Sequence, residues 1–167
     1  AIAKLNQAGL AVNLVLAGPG RDDLLAFLGQ EEAAVRNALQ GHLSVLGLVD
    51  EETKQGLLVA ADLLALPSRV ETFGIVLLEA WAQGKPVIGA NAGGIPSVVM
   101  DEETGLLVPF GDAEALAGAI RRLVEDPALA QRLGAAGREQ VGARYSWDRT
   151  YAGLRAVYES QLAATPA

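Results

Sequence analysis

Short apolar runs alternate along the chain with longer segments rich in helix-forming residues. The runs lie at 11–17, 42–47, 63–66, 85–90 and 105–108. Runs of this length between turn residues are typical of buried strands. The remaining segments predict helices at 2–8, 22–40, 51–61, 75–82, 95–99, 113–125, from 127 onward and at 146–163. This alternation predicts a single α/β domain with a parallel, doubly wound sheet.

Polar residues that favour the capping position precede several of these helices. Asp50, Asp112 and Ser146 are expected to cap the helices that follow them, and Asp22 or Asp23 to cap the second helix. These side chains accept hydrogen bonds from the first free amides of a helix, so they mark where each helix begins.

The stretch 66–94 contains the features that indicate a ligand. Its helix begins after Phe73, so the amides of Gly74, Ile75 and Val76 have no partner inside the helix. Such amides, together with the positive end of the helix dipole, accept a phosphate group. Gly74 also has no side chain that would keep a ligand away from the backbone.

Two acids, Glu71 and Glu79, lie on either side of this helix start. Glu79 is about five residues into the helix, roughly 7 Å along its axis, which is comparable to the separation of the terminal phosphate and the ribose in a nucleoside diphosphate. A carboxylate accepts two hydroxyl donors, and Glu71 would face the group attached to the phosphate. The spacing therefore suits a nucleotide sugar. The alternative is a solvated loop acid and an exposed helix acid.

The sequence PSRVETFGIVLLEAWAQGKPVI at 67–88, followed by GGIP at 93–96 and TGLLV at 104–108, resembles one family. It is similar to the donor-binding C-terminal lobe of the retaining GT-B glycosyltransferases, the glycosyl transferases group 1 family. The resemblance covers nearly the whole chain and centres on the family's E-x7-E motif, carried by Glu71 and Glu79. It implies a Rossmann-like lobe with a C-terminal crossover helix. The implied activity is transfer of a hexosyl group from a nucleotide sugar with retention, without a metal ion or cofactor.

The resemblance also implies roles for individual residues. Glu71, the catalytic candidate, would contact the donor sugar near the reacting carbon, and Glu79 would bind the ribose hydroxyls of a UDP-, GDP- or ADP-sugar. The amides after Phe73 would stabilise the diphosphate as leaving group, and no protein nucleophile is assigned. The other donor-binding candidates are Phe73, Gly74, Ile75, Val76, Gly47, Val49, Gly18, Arg69, Gly93 and Gly94.

Several of these candidates also have a plain structural interpretation. Gly18 follows the first strand, but Asp23 stands where a dinucleotide fingerprint has its third glycine, so a simple βα turn is favoured over a nicotinamide site. The resemblance instead places Gly18 in the donor cleft. Gly47 and Val49 end a strand at the carboxyl edge, where open α/β sheets bind ligands. A backbone contact with the nucleobase and a tight turn both stay open there.

Two glycines and an arginine have comparable ambiguity. Gly93 and Gly94 are expected to form a flexible loop that faces the carboxyl edge and contacts donor or acceptor. Arg69 is either a phosphate partner or a surface arginine.

Two departures from the family pattern bear on activity. The family's Arg and Lys that clamp the diphosphate precede the point at which this chain begins, and Ser97 stands where many members carry Glu. The first residue is Ala1 and the only methionine is Met100, so we expect residues 1–167 to be the C-terminal donor-binding piece of a longer protein. Its partner would be the N-terminal acceptor lobe of the same polypeptide. The isolated piece is expected to be inactive.

Composition excludes several other classes of protein. Thirteen basic and twenty acidic residues give a net charge of −7, which disfavours nucleic acid and anionic membranes as partners. The absence of cysteine and the presence of one histidine, His42, exclude a disulfide framework, a thiolate metal site and a metal site made of several histidines. No apolar run approaches about 18 residues. We expect a cytoplasmic protein, with a membrane-peripheral full-length protein as the alternative.

The last predicted helix, 146–163, has a single apolar stripe. Its members, at 4-3-4-4 spacing, are Trp147, Tyr151, Leu154, Tyr158 and Leu162. Packing on its own domain is the favoured interpretation. The resemblance implies a helix that crosses to the N-terminal lobe, in which case the exposed stripe would favour self-association.

Two further functions stay open besides the transferase. A sugar-nucleotide epimerase lobe would share the architecture, and a non-catalytic module would bind nucleotide sugars or serve as a scaffold for a partner through its last helix.

Overall fold

The computed structural model describes residues 1–164. The strands are β1 (Leu14–Ala17), β2 (Leu43–Gly47), β3 (Leu64–Leu66), β4 (Val87–Ala90) and β5 (Leu106–Val108). The helices are α1 (Ile2–Gln7), α2 (Arg21–Gln30), α3 (Ala33–Leu39), α4 (Glu51–Ala60), α5 (Ile75–Ala82), α6 (Ala113–Glu125), α7 (Pro127–Arg144) and α8 (Trp147–Ala164). A 3₁₀ turn, Ile95–Ser97, follows β4. The expected α/β class is confirmed.

The strands pair in two parallel ladders. One ladder joins β1 and β2, and the other has the order β3-β4-β5. The alternation predicted a single sheet. The structure instead has two separate ladders, and the division falls between β2 and β3 in chain order. Because all pairs are parallel, the carboxyl ends of the strands in each ladder lie at one edge.

The central strand β4 is buried along its whole length, because helices cover both of its faces. Val87 and Ile88 are neighbours in this strand and belong to two different apolar clusters, as expected when successive side chains point to opposite faces. The cluster around Ile88 includes Leu5 of α1 and Ile120 of α6, whereas that around Val87 includes Trp81 of α5.

The expectation of one long helix at 22–40 was wrong, because two helices, α2 and α3, occupy this segment. The chain is extended at Glu31 (φ −67°, ψ 160°), which separates α2 from α3. The guanidinium of Arg36 donates to the carbonyl of Gly29 at 3.2 Å and to that of Glu31, so it satisfies carbonyls at the end of α2. Asp22 and Asp23 lie inside the first turn of α2, and Gly20 holds the capping position instead.

The other expected caps are confirmed. Oδ1 of Asp50 accepts from the amide of Thr53 at 2.8 Å, and Oδ1 of Asp112 accepts from the amide of Ala115 at 2.9 Å. Oγ of Ser146 accepts a longer bond, 3.4 Å, from Arg149 at the start of α8.

The apolar stripe of α8 does not pack on the domain. The exposed fraction of its five members ranges from 55% at Leu154 to 86% at Trp147, so the favoured interpretation of the stripe was wrong. Self-association through this surface stays a prediction. None of the helices in residues 1–164, α8 included, is long and apolar enough to cross a membrane.

Glycines in α7 allow this helix to pack closely against Trp81. The indole is fully buried, and its Nε1 donates to the carbonyl of Thr104 at 2.9 Å. A Cβ at Gly137 would overlap the indole ring, and one at Gly134 would overlap the carbonyl of Gly84. The turn after α5 therefore lies directly against α7.

We predict that Gly137→Ala destabilises the chain by about 1–3 kcal/mol, because the added methyl group must displace a large buried ring. The matched control is Gly142→Ala in the same helix, where a Cβ meets nothing within 4 Å. That change should be neutral or should stabilise by up to about 1 kcal/mol, since alanine is the better helix former. Urea unfolding followed by circular dichroism measures both. Equal effects of the two substitutions would contradict this account of α7.

Candidate functional site

The amino end of α5 is shaped by the conformation of Gly74. This residue has left-handed dihedral angles (φ 79°, ψ 52°), and a Cβ on it would lie 2.8 Å from Cδ1 of Leu77. Both features require glycine. Among residues 1–164, no group accepts a hydrogen bond from the amides of Ile75 or Val76. These two amides are therefore available to an anion at the positive end of the helix.

The carboxylate of Glu71 lies beside the same helix end. Its Oε1 accepts from the amide of Phe73 at 3.3 Å and from that of Gly74 at 3.1 Å. Of the three amides that the sequence assigned to a phosphate, the one of Gly74 is therefore already engaged. Glu71 has a structural function in closing this turn, in addition to any contact with a ligand.

Gly93 and Gly94 hold this turn from the other side. The amide of Gly94 donates to the carbonyl of Glu71 at 2.6 Å. A Cβ on Gly94 would overlap the carbonyl of Thr72, and one on Gly93 would lie 2.7 Å from the carbonyl oxygen of Glu71. The expectation of a flexible loop was wrong, because both glycines permit a close contact between two backbone segments.

Two aromatic side chains that were not among the candidates, Tyr145 and Phe110, lie beside residues of this loop. The ring of Phe73 is 39% exposed and contacts Tyr145 edge to face, with a centroid distance of 5.6 Å. The guanidinium carbon of Arg69 lies 6.0 Å from the centroid of the Phe110 ring. Tyr145 follows α7 and Phe110 follows β5, and neither position carries a local sequence signal that links it to this turn.

Glu79 is held by a lysine that sequence analysis missed. Nζ of Lys54 lies 2.7 Å from Oε1 of Glu79 and 2.9 Å from Oε2 of Glu51. The hydrogen bond to Glu79 is the largest of the effects that raise the pKa of Lys54, followed by that to Glu51. Because Lys54 belongs to α4 and Glu79 to α5, the contact is tertiary and no sequence spacing reveals it.

Gly18 and Gly47 meet at the carboxyl ends of β1 and β2. The amide of Gly18 donates to the carbonyl of Gly47 at 2.8 Å, next to an irregularity in the ladder between Leu16 and Ala17. Gly47 is buried with φ 75°, so it needs glycine for its backbone conformation. Val49 is half-buried in the segment that leads from β2 to Asp50, the cap of α4.

The predicted residues thus form three groups. Glu71, Phe73, Gly93 and Gly94 build the turn before α5, and Arg69 lies nearby in the same loop. Gly18 and Gly47 form a second group at the other ladder. Glu79 belongs to the third, with Lys54 and Glu51. A surface cavity of about 580 Å³ lies elsewhere, between Lys4 of α1 and Arg121 of α6, and contains none of the predicted residues.

The α/β fold of this chain, with its parallel strands, is of the kind found in GT-B glycosyltransferases. A solved structure of HepE from Anabaena in complex with UDP superposes with a TM-score of 0.81, at 26% identity, over 95% of this chain and 44% of that one. A second structure of HepE, in complex with UDP-glucose, gives a TM-score of 0.80 at the same identity and coverage.

The chain belongs to the glycosyl transferases group 1 family, whose sequence model matches residues 1–140. It is 39% identical over 140 residues to the phosphatidyl-myo-inositol mannosyltransferase of Mycobacterium leprae, covering 82% of this chain and 37% of the relative. It is 45% identical over 105 residues to the D-inositol 3-phosphate glycosyltransferase of Saccharomonospora viridis, covering 63% of this chain and 24% of the relative. The chain thus spans well under half the length of these relatives.

We predict that Gly94→Ala displaces the turn that carries Glu71, because its methyl group cannot coexist with the carbonyl of Thr72. The amide NMR signals of Phe73 and Gly74 should shift, since both amides donate to the Glu71 carboxylate. Gly118→Ala in α6, where a Cβ meets nothing within 4 Å, is the matched control. If the two amide signals stay in place in Gly94→Ala, the contact does not position the turn.

Proposed function

We propose that the chain is the donor-nucleotide lobe of a retaining glycosyltransferase that transfers a hexosyl group from a nucleotide sugar. The observation that carries this proposal is the combination at α5: in the part of the chain that the structure describes, the amides of Ile75 and Val76 at its start have no acceptor, and Glu79 lies one turn further along. Amides at a helix start suit a diphosphate, and a carboxylate suits the two hydroxyls of a ribose.

The remaining candidates are proposed to contact the other parts of the donor. Glu71 is proposed to contact the donor sugar, and Arg69 to add positive charge at the diphosphate. The backbone at Gly47 and Val49 is proposed to meet the nucleobase, and Gly18 to line the cleft. Contact with Glu71 would require its carboxylate to share or release the Gly74 amide.

The relatives support a nucleotide sugar as the donor. HepE has been solved with UDP and with UDP-glucose, so uridine donors are the first to test. The two relatives named above act on inositol-containing acceptors by their names. We propose acceptor binding by a separate lobe, and a reaction that needs no metal ion or cofactor.

We predict that the chain binds one of UDP, GDP and ADP selectively, with a dissociation constant weaker than about 100 µM, or roughly −5.5 kcal/mol. Titrations followed by ¹H–¹⁵N NMR should shift the amide signals of Ile75 and Val76. Glu79→Gln should weaken binding at least about fivefold, because it removes a charged acceptor of ribose hydroxyls.

The matched control is Glu139→Gln, an exposed acid on α7. It removes the same charge from an exposed position outside the proposed site and should leave the affinity unchanged. Equal losses in both variants would show a general effect of charge, and the absence of any shift at millimolar nucleotide would contradict the proposed function.

We further predict that the chain alone does not transfer sugar from the nucleotide sugar that it binds. Transfer requires an acceptor aligned with the donor, and that alignment supplies a large part of the rate enhancement of a bimolecular reaction. Incubation with the radiolabelled donor and with inositol or inositol phosphate as acceptor should yield no labelled product. Product above the level of a Glu71→Gln variant would overturn this prediction.

A further inference from the structure

Lys54 of α4 forms an ion pair with Glu79 of α5, the residue proposed to bind the ribose. Its side chain is 33% exposed and that of Glu79 is 23% exposed, so both are largely shielded from water. The other interhelical lysine pair, Lys4 with Glu114, is 51% and 74% exposed. Shielding strengthens an ion pair, because solvent and salt screen it less.

The geometry leaves one oxygen of Glu79 available. Lys54 donates to Oε1 at 2.7 Å, and in the described part of the chain no hydrogen bond to Oε2 is found. A glutamate side chain has several rotatable bonds, and fixing it on ligand binding costs up to about 2 kcal/mol of conformational entropy. A lysine that already fixes the carboxylate reduces this cost and leaves Oε2 for hydroxyl donors.

The same lysine also connects the two parts of the proposed nucleotide site. It lies in the first turns of α4, which begins directly after Val49 and Asp50, and it also pairs with Glu51. Gln55 adds to this connection: its Nε2 donates to Glu51 at 2.9 Å, and its Oε1 accepts from Gln83, just beyond α5, at 3.4 Å. The segment proposed for the base is thereby held to the helix proposed for the ribose.

We propose that Lys54 is a positioning residue that orients the carboxylate of Glu79 for the ribose hydroxyls of the donor, an inference that rests on the proposed function. Lys54 acts through Glu79 and not by contact with the diphosphate, because its ammonium group is engaged by two carboxylates.

The test compares two ligands and several variants of the chain. UDP carries both ribose hydroxyls and 2′,3′-dideoxy-UDP carries neither. The unmodified chain should bind UDP about tenfold more tightly than the dideoxy analogue, as expected for a charged acceptor of hydroxyl hydrogen bonds. In Lys54→Met this preference should fall to about threefold or less, and Lys54→Arg should restore most of it. GDP or ADP and their dideoxy analogues replace the uridine pair if one of them is the preferred nucleotide.

Lys4→Met is the matched control, because it also removes a lysine that joins two helices through an acid. It should leave the preference for the ribose hydroxyls unchanged. If Lys54→Met weakens both ligands equally, keeps the full preference or binds UDP more tightly, the inference is overturned while the proposed function stands. If the unmodified chain shows no preference, or binds no nucleotide, both are overturned.

A second measurement needs no nucleotide. The carboxylates of Glu79 and Glu51 raise the pKa of Lys54, so Glu79→Gln should lower this pKa towards its ordinary value. Titration of the lysine side chain followed by heteronuclear NMR measures the change. An unchanged pKa would show that the ion pair does not form in solution, and would overturn the inference independently of the binding data.

Discussion

The close approach of Gly94 to Thr72 is the contact on which the geometry of the site depends. A backbone amide reaches the carbonyl of Glu71 at 2.6 Å only because no Cβ separates the two segments. This contact joins the loop after β4 to the loop after β3, and the Glu71 carboxylate in turn closes onto the amide of Gly74. The start of α5 is thereby fixed by a backbone contact together with the side chain of Glu71, whose carboxylate accepts from two amides of the turn. Amides held in this way keep their direction when an anion arrives, and preorganised donors of this kind stabilise charge without reorganisation.

The ion pair between Lys54 and Glu79 extends this order to the second turn of α5. Buried or shielded charge pairs contribute little net stability, because desolvation offsets their attraction. In some proteins such pairs instead select one arrangement of the elements that they join. Here the pair joins a helix that follows β2 to a helix that follows β3, the two strands between which ladder pairing is interrupted. Side-chain contacts thus connect elements on the two sides of this interruption.

Sequence reasoning identified the elements that depend on local patterns and missed those that depend on tertiary contacts. The strands, the caps at Asp50 and Asp112 and the glycine before α5 follow from apolar runs and capping chemistry over a few residues. The break at Glu31 does not follow from such patterns, because the carbonyls there are satisfied by the side chain of Arg36, a contact within seven residues that no apolar run or capping residue specifies. Lys54 and Tyr145 were missed for a different reason, since each meets its partner across 25 and more positions of the chain. The exposure of α8 also depends on which elements pack beside this helix. A stripe of apolar residues in its sequence does not specify them.

The distribution of charge explains why we expect weak nucleotide binding. A nucleoside diphosphate carries two or three negative charges, whereas a helix start offers roughly half a positive charge. Among the described cations around this site, Lys54 is paired with two carboxylates, and Arg21 donates to the carbonyl of Val45 and pairs with Asp22. Arg69, which we propose adds positive charge at the diphosphate, lies over the Phe110 ring in the loop before α5. The chain as a whole carries a net charge of −7, so its long-range field repels the ligand. On the proposed function, discrimination among UDP, GDP and ADP would come from contacts with the base, because the three nucleotides share the same ribose hydroxyls and the same diphosphate.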